Sequence, residues 1–206
     1  MKALLLIGMG GYALLGQVLL MRELLVVLSG HEICLGILFA SWLMGIFVGA
    51  WVGGRIQGVF RDITAAFVGL QAAALILAPS LVVAIRLLRG WTATPPGVPL
   101  PLLPTVLASM GLVMPLSLLV GALFPLACGM CGPLPRGELR TIGHVYMLEA
   151  LGSLLAGVLL TYALLGSTDS LTILAAGGLG ILLVATILLA TQRSRGAVPM
   201  GLLAAL

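Results

Sequence analysis

Apolar residues run along this chain in long blocks separated by short polar stretches. A spanning helix needs about 20 mostly apolar residues to cross about 30 Å of hydrocarbon. Six blocks meet that requirement, at residues 3–29, 33–54, 63–85, 102–130, 144–165 and 171–191. The first is broken only by Arg22 and Glu23 near its end, the second carries no charge, and the fifth contains Glu149. The fourth holds Pro115 and Pro125, which are expected to kink it. A polar, proline-rich connection is expected from Arg86 through Gly97. After a basic stop at residues 192–195, residues 197–206 turn apolar again but are too short to cross. They read as a seventh span cut off near its start or as a short interfacial tail. Lys2 followed by an apolar run has the look of a signal peptide, but no small-residue cleavage site and mature soluble domain follow it. It is read as a retained first helix. The predicted fold is therefore all-α, a polytopic membrane helix bundle forming one integral-membrane domain over residues 1–206.

Composition agrees with the pattern. Hydrophobic residues make up 61% of the 206 positions and charged ones 8%, with a mean hydropathy of +1.26. A soluble domain carries about 25% charged residues, so this chain cannot keep an ordinary globular surface wet. Soluble enzymes, nucleic-acid-binding domains and disordered tails are excluded as readings. The net charge of +4 is spread among connections between apolar blocks and forms no nucleic-acid footprint.

The basic residues also predict an orientation. With a cytoplasmic N-terminus, Lys2, Arg55, Arg61, Arg136, Arg140, Arg193 and Arg195 fall inside, while Arg86 and Arg89 fall outside. Arg22 is left at the end of the first span. Seven against two obeys the positive-inside rule. Both termini are expected in the cytoplasm, and the protein in the cytoplasmic (inner) membrane.

Helices in lipid associate through close backbone approach and polar contacts, because lipid tails are as apolar as leucine. Gly45, Gly49 and Gly53 recur every four residues on one face of the second span. The fifth span pairs Gly152 with Ala156 and Ser153 with Gly157, and the sixth has Ala176, Gly177 and Gly180. These are expected to be packing faces within the bundle.

Ionisable residues inside a membrane are costly and mark candidate sites. Arg22 and Glu23 are adjacent on a helix and point about 100° apart, so each needs water or a different partner. Glu149 lies inside the fifth span, about one turn after Tyr146, with Arg140 or His144 as its expected neighbour. Gln17 lies deep in the first span, beyond Tyr12. Together Tyr12, Gln17, Arg22, Glu23, Tyr146 and Glu149 form the candidate intramembrane polar set. Locking helices together competes with a substrate or proton path as their role.

His31-Glu32 in a short connection is a weak metal signal without a second ligand cluster. Cys128 and Cys131 form a Cys-x-x-Cys sequence, but one pair supplies only two zinc ligands and no thioredoxin-like strands surround it. With Cys34, they read as small packing residues. Gly177, Gly178 and Gly180 lack the acidic residue that nucleotide binding requires. No catalytic residue, metal site or cofactor is expected.

Several stretches together carry a family resemblance. They are residues 11–25 (GYALLGQVLLMRELL), 29–32 (SGHE), 41–43 (SWL), 49–55 (GAWVGGR), 121–128 (GALFPLAC) and 145–157 (VYMLEALGSLLAG). Their combination resembles the membrane region of bacterial spermidine-synthase-like membrane proteins, in which helices are fused to an aminopropyltransferase-type domain. The resemblance implies a membrane module. It carries over no catalytic residue, because the soluble, Rossmann-like domain of that family has no counterpart in this sequence. A fainter similarity, on six spans with both ends cytoplasmic and on the loop from Gly49 to Asp62, is to one half of a major-facilitator-type transporter.

Three functions are expected from these features. The first is a non-catalytic scaffold or anchor subunit in a multi-subunit complex, working with membrane or membrane-associated partners or with a second copy of itself. The second is a half-size transporter of a small solute, such as a cationic polyamine, working as a dimer, with Tyr12, Gln17, Tyr146 and Glu149 facing a shared cavity. The third is the membrane part of an aminopropyltransferase-type enzyme whose catalytic domain is on another chain.

Overall fold

The computed structural model describes residues 2–28, 32–91, 101–132, 138–164 and 166–196. His31, Arg136 and the apolar tail at 197–206 lie outside the described residues, as do the side chains of Arg89, Arg193 and Arg195. Among the described residues the fold is entirely helical: α1 (Lys2–Val27), α2 (Glu32–Ile56), α3 (Ile63–Trp91), α4 (Leu102–Cys131), α5 (Glu138–Leu159) and α6 (Ser170–Gly196). A short 3-10 turn, Gln57–Val59, follows α2, and a π-helical turn, Leu160–Leu164, extends α5. All six helices are long and apolar enough to cross a membrane.

The helices overrun several expected spans. Arg86 lies within α3, which continues to Trp91, and not in a connection. α5 already begins at Glu138, and α6 runs on to Gly196. Hydropathy marks where hydrocarbon begins and ends. Backbone hydrogen bonding lets a helix project beyond that boundary into water.

Local chemistry sets the ends that matter. Asp62 Oδ1 accepts from the backbone N–H groups of Thr64 (3.0 Å) and Ala65 (3.1 Å), satisfying donors at the start of α3. At the other end of α4, Gly132 adopts φ +67°, which favours glycine, and its N–H returns to the carbonyls of Cys128 and Gly129. Thr141 Oγ1 donates to the Gly132 carbonyl (3.0 Å), tying the start of α5 to the end of α4. Lys2 Nζ donates to the Met130 carbonyl (2.8 Å), placing a cation on carbonyls that the helix leaves unpaired.

The tightest contacts join helices that are not neighbours in sequence. α2 lies along α4, and α1 lies along α5. In both pairs the chains run parallel: Gly45, Gly49 and Gly53 meet Ser117, Leu118 and Ala122 in order, and Gly11 and Gly157 meet Gly152 and Leu14. α1 is central, touching α3, α4, α5 and α6, with Leu19, Leu20 and Leu24 fully buried. The apolar core divides into a larger cluster toward the Arg86 end and a smaller one around Phe67, Leu123 and Val145 toward the Lys2 end.

The two parallel pairs use the same device. A methyl group at Gly10 would collide with the Glu149 carbonyl, and one at Gly152 with the Ile7 carbonyl. Between the other pair, a methyl at Gly121 would collide with the Ile46 carbonyl, and one at Gly49 with that of Leu118. In each pair a glycine meets a carbonyl, and three residues further along one helix and back along the other the roles reverse. Only glycine lets backbones approach this closely. The expected faces at Gly45, Gly49, Gly53, Gly152, Ser153, Ala156 and Gly157 thus lie within the bundle. Gly177 packs on Tyr12 and Leu15, whereas Gly180 has open space where a side chain would be.

Candidate functional site

The polar residues fall into three separate places, and the first is structural. Pro79 lies inside α3, so the Leu75 carbonyl four residues earlier has no helical N–H to accept from. Tyr12, 2% exposed, donates its hydroxyl to that carbonyl at 3.1 Å. An unpaired carbonyl in hydrocarbon costs several kcal/mol by order of magnitude, and Tyr12 removes that cost. The prolines noted in the sequence were those of α4; the one that explains Tyr12 is in α3.

The second place is the end of the bundle opposite Lys2. Arg86 near the end of α3 bridges two carboxylates. Its Nη2 lies 2.8 Å from Glu23 Oε1 on α1 and 2.7 Å from Asp169 Oδ1 in the link before α6. Its Nε also donates to Glu23 (3.2 Å), and its Nη1 to Asp169 (3.3 Å), so both contacts are two-pronged. Planar guanidinium suits this geometry. Asp169 Oδ2 additionally accepts the Leu171 N–H (3.1 Å), capping α6. The Arg86 guanidinium, first of all, and the N–H groups of the cap hold the Asp169 carboxyl below its usual range. Glu23 has therefore found a partner on another helix, as its angle to Arg22 requires. Arg22 makes no ion pair among the described residues. It lines an open recess of about 200 Å3 with Glu23, Val26, Thr168, Asp169 and Ser170.

Neither Arg86 nor Asp169 belongs to the candidate set read from the sequence. Arg86 was placed in a connection, and Asp169 follows the polar Ser167-Thr168 pair. The available signal was Asp169 itself, an N-cap residue directly ahead of an apolar block.

The third place is α5. Glu149 is half-buried about 16 Å along the helix from Glu138, at 1.5 Å per residue. It forms no ion pair with Arg140 or His144 among the described residues. Both lie nearer the water at the start of α5, and His144 is exposed. Cys128 is within electrostatic range of Glu149, and Cys131 within range of Lys2. Tyr146 is 66% exposed on the outer face of α5. Gln17 is half-buried on α1 without a hydrogen-bond partner among the described residues. Tyr12, Gln17, Tyr146 and Glu149 therefore do not line one common cavity. Cys34 is buried, and Cys128 and Cys131 are half-buried free thiols. Among the described residues no group of three or more His, Cys, Asp and Glu side chains is placed to hold a metal ion.

No protein-family model matches the chain, and neither a curated protein nor a solved structure matches it. The fold defines the class by itself: a multi-pass helical membrane protein.

Proposed function

We propose that this chain is a non-catalytic integral-membrane scaffold or anchor, acting with partner proteins or with a second copy of itself. The observation that carries the reading is the face of α5. That helix is the least buried of the six. It shows Tyr146, Met147, Leu154 and Tyr162 outward and holds a half-buried carboxylate, Glu149, with no ion-pair partner among the described residues. Lipid tails give a mid-span carboxylate nothing to pair with. A helix from another chain can supply the donor. The glycine seams support the same reading, since they hold α5 and α2 on the bundle by one face and leave their outer apolar faces exposed. The resemblance to spermidine-synthase-like membrane proteins would make one such partner an aminopropyltransferase-type domain.

The basic residues support cytoplasmic termini in the cytoplasmic membrane, because Lys2, Arg55, Arg61 and Arg140 gather at the end where α1 begins and α6 ends. The test is purification in mild detergent from the native membrane after photo-crosslinking from position 147. Partners or a second copy captured in fixed ratio are expected. A lone chain that moves solute after reconstitution would sink the scaffold reading.

Transport is the second reading, and Glu149 is the observation that favours it. Flux of a polyamine into vesicles that falls with Glu149→Gln would support it. Flux unchanged in that variant would remove Glu149 as the coupling group.

A further inference from the structure

Arg22 stands where two recesses meet. One is the polar recess at the end of α1 and the start of α6, which offers Thr168, Ser170 and the Asp169 carboxylate. The other is an apolar groove of about 480 Å3 between α1 and α2, where Arg22 and Val26 meet Val18, Leu25, Leu35 and Phe39. Arg22 and Val26 line both, so the two adjoin and together make a trough that is apolar along its length and charged at its head. That is the shape of an amphiphile site, and it opens onto the lipid-facing side of α1 and α2, where Val26, Leu35 and Phe39 are exposed.

The charges at the head decide which amphiphile fits. Arg86 engages both carboxylates, which leaves the Arg22 guanidinium uncompensated by any ion pair among the described residues. Two arginines (Arg22, Arg86) and two carboxylates (Glu23, Asp169) sum to zero. A head group with only negative charge would gain Arg22 but approach Glu23 and Asp169. One with only positive charge would face Arg22 and Arg86. The Asp169 side chain is 52% exposed and keeps acceptor capacity beyond its bonds to Arg86 and Leu171. A head carrying a phosphate and a primary ammonium matches both signs at once.

We propose that this trough binds a zwitterionic aminophospholipid of the bilayer, its phosphate on Arg22, its ammonium on Asp169 and its acyl chain in the α1–α2 groove. The site does not depend on the scaffold reading. It is tested by native mass spectrometry of the full chain, released from detergent containing equal amounts of phosphatidylethanolamine, phosphatidylcholine and phosphatidylglycerol with identical chains. Phosphatidylethanolamine is expected to be retained about tenfold over the other two, the scale of one charge-assisted hydrogen bond. Arg22→Gln should abolish that retention, and Arg22→Lys should keep most of it. Asp169→Asn should level phosphatidylethanolamine with phosphatidylcholine, whose quaternary ammonium has no N–H to give. Strongest retention of phosphatidylglycerol, equal retention of all three, or an unchanged preference in Arg22→Gln would each overturn the proposal. The comparison among lipids on the unaltered chain holds even if a variant fails to fold.

Discussion

The α2–α4 and α1–α5 seams are built on the same reciprocal contact of glycine with carbonyl, yet they hold their helices differently. Along α2–α4 the close approach is sustained over Gly45, Gly49 and Gly53 against Ser117, Leu118 and Ala122. Ser117 Oγ returns to the Met114 carbonyl of its own helix (3.0 Å). Along α1–α5 the contact is shorter and one hydroxyl reinforces it: Ser153 Oγ donates to the Gly10 carbonyl at 3.0 Å. Each seam joins an outer helix to an inner one: α2 packs chiefly on α4, which is backed by α1 and α3, and α5 packs chiefly on the central α1. The comparison teaches that close backbone approach can be spread over a long run of small residues, as along α2–α4, or kept short and reinforced by a hydroxyl clasp, as along α1–α5.

Breaking the longer seam should have the largest effect. Gly49→Leu drives a side chain into the Leu118 carbonyl and separates α2 from the helix that carries nearly all its packing, at a cost of about 3 kcal/mol or more. Denaturant titration of the purified protein in detergent should show this as a large fall in midpoint. The same substitution at Gly152 should cost about 1–2 kcal/mol, because the α1–α5 seam it disturbs is shorter. Equal losses at the two sites would refute the dependence on seam length. Gly180→Leu serves as the control: with open space at that position, the midpoint should hold or rise, since leucine is the better helix former.

The clasp is a finer test. Ser153→Ala should cost about 0.6 kcal/mol, the scale of an interhelical hydrogen bond in lipid. Ser117→Ala should cost less, since its hydroxyl serves only its own helix. The smallest expected effect is at the Arg86 end, which ties α1 to α3 and to the link between α5 and α6. Folding lowers the proton affinity of Asp169, so its contribution to stability is present above the ordinary aspartate value of about 3.9. That contribution is lost as pH falls below this value and through the lowered one. Melting curves recorded from pH 6 down to pH 3 should show the loss, and Asp169→Asn should flatten it. A variant with the same acid profile as the unaltered chain would place the pH dependence elsewhere.

Much of this fold was legible in the chain because hydrocarbon imposes a simple rule: about 20 apolar residues per crossing. The six spans, the all-α class and the small-residue faces of α2 and α5 follow from it. Helix geometry adds that Glu23 needs water or a partner other than Arg22. The identity of each partner did not follow. Gly10 and Gly121 complete the two seams, yet a glycine in an apolar block shows its role only when the carbonyl it admits is known. Arg86 and Asp169 lie 83 residues apart in sequence, and no local pattern relates them. Glu149 is expected beside Arg140 or His144, its neighbours along the chain, yet it forms no ion pair with either among the described residues.

Tyr12 shows where the line falls. The sequence by itself determined that a tyrosine sits inside a span and that a proline sits inside another, because covalent structure alone deprives Pro79 of its N–H. Only the tertiary structure decided that the hydroxyl of one answers the stranded carbonyl left by the other. Apolar patterning fixes which residues must leave water, since that cost is summed locally along the chain. Which buried groups then meet depends on helix rotation and crossing, set by contacts between distant segments, and no single segment contains that information.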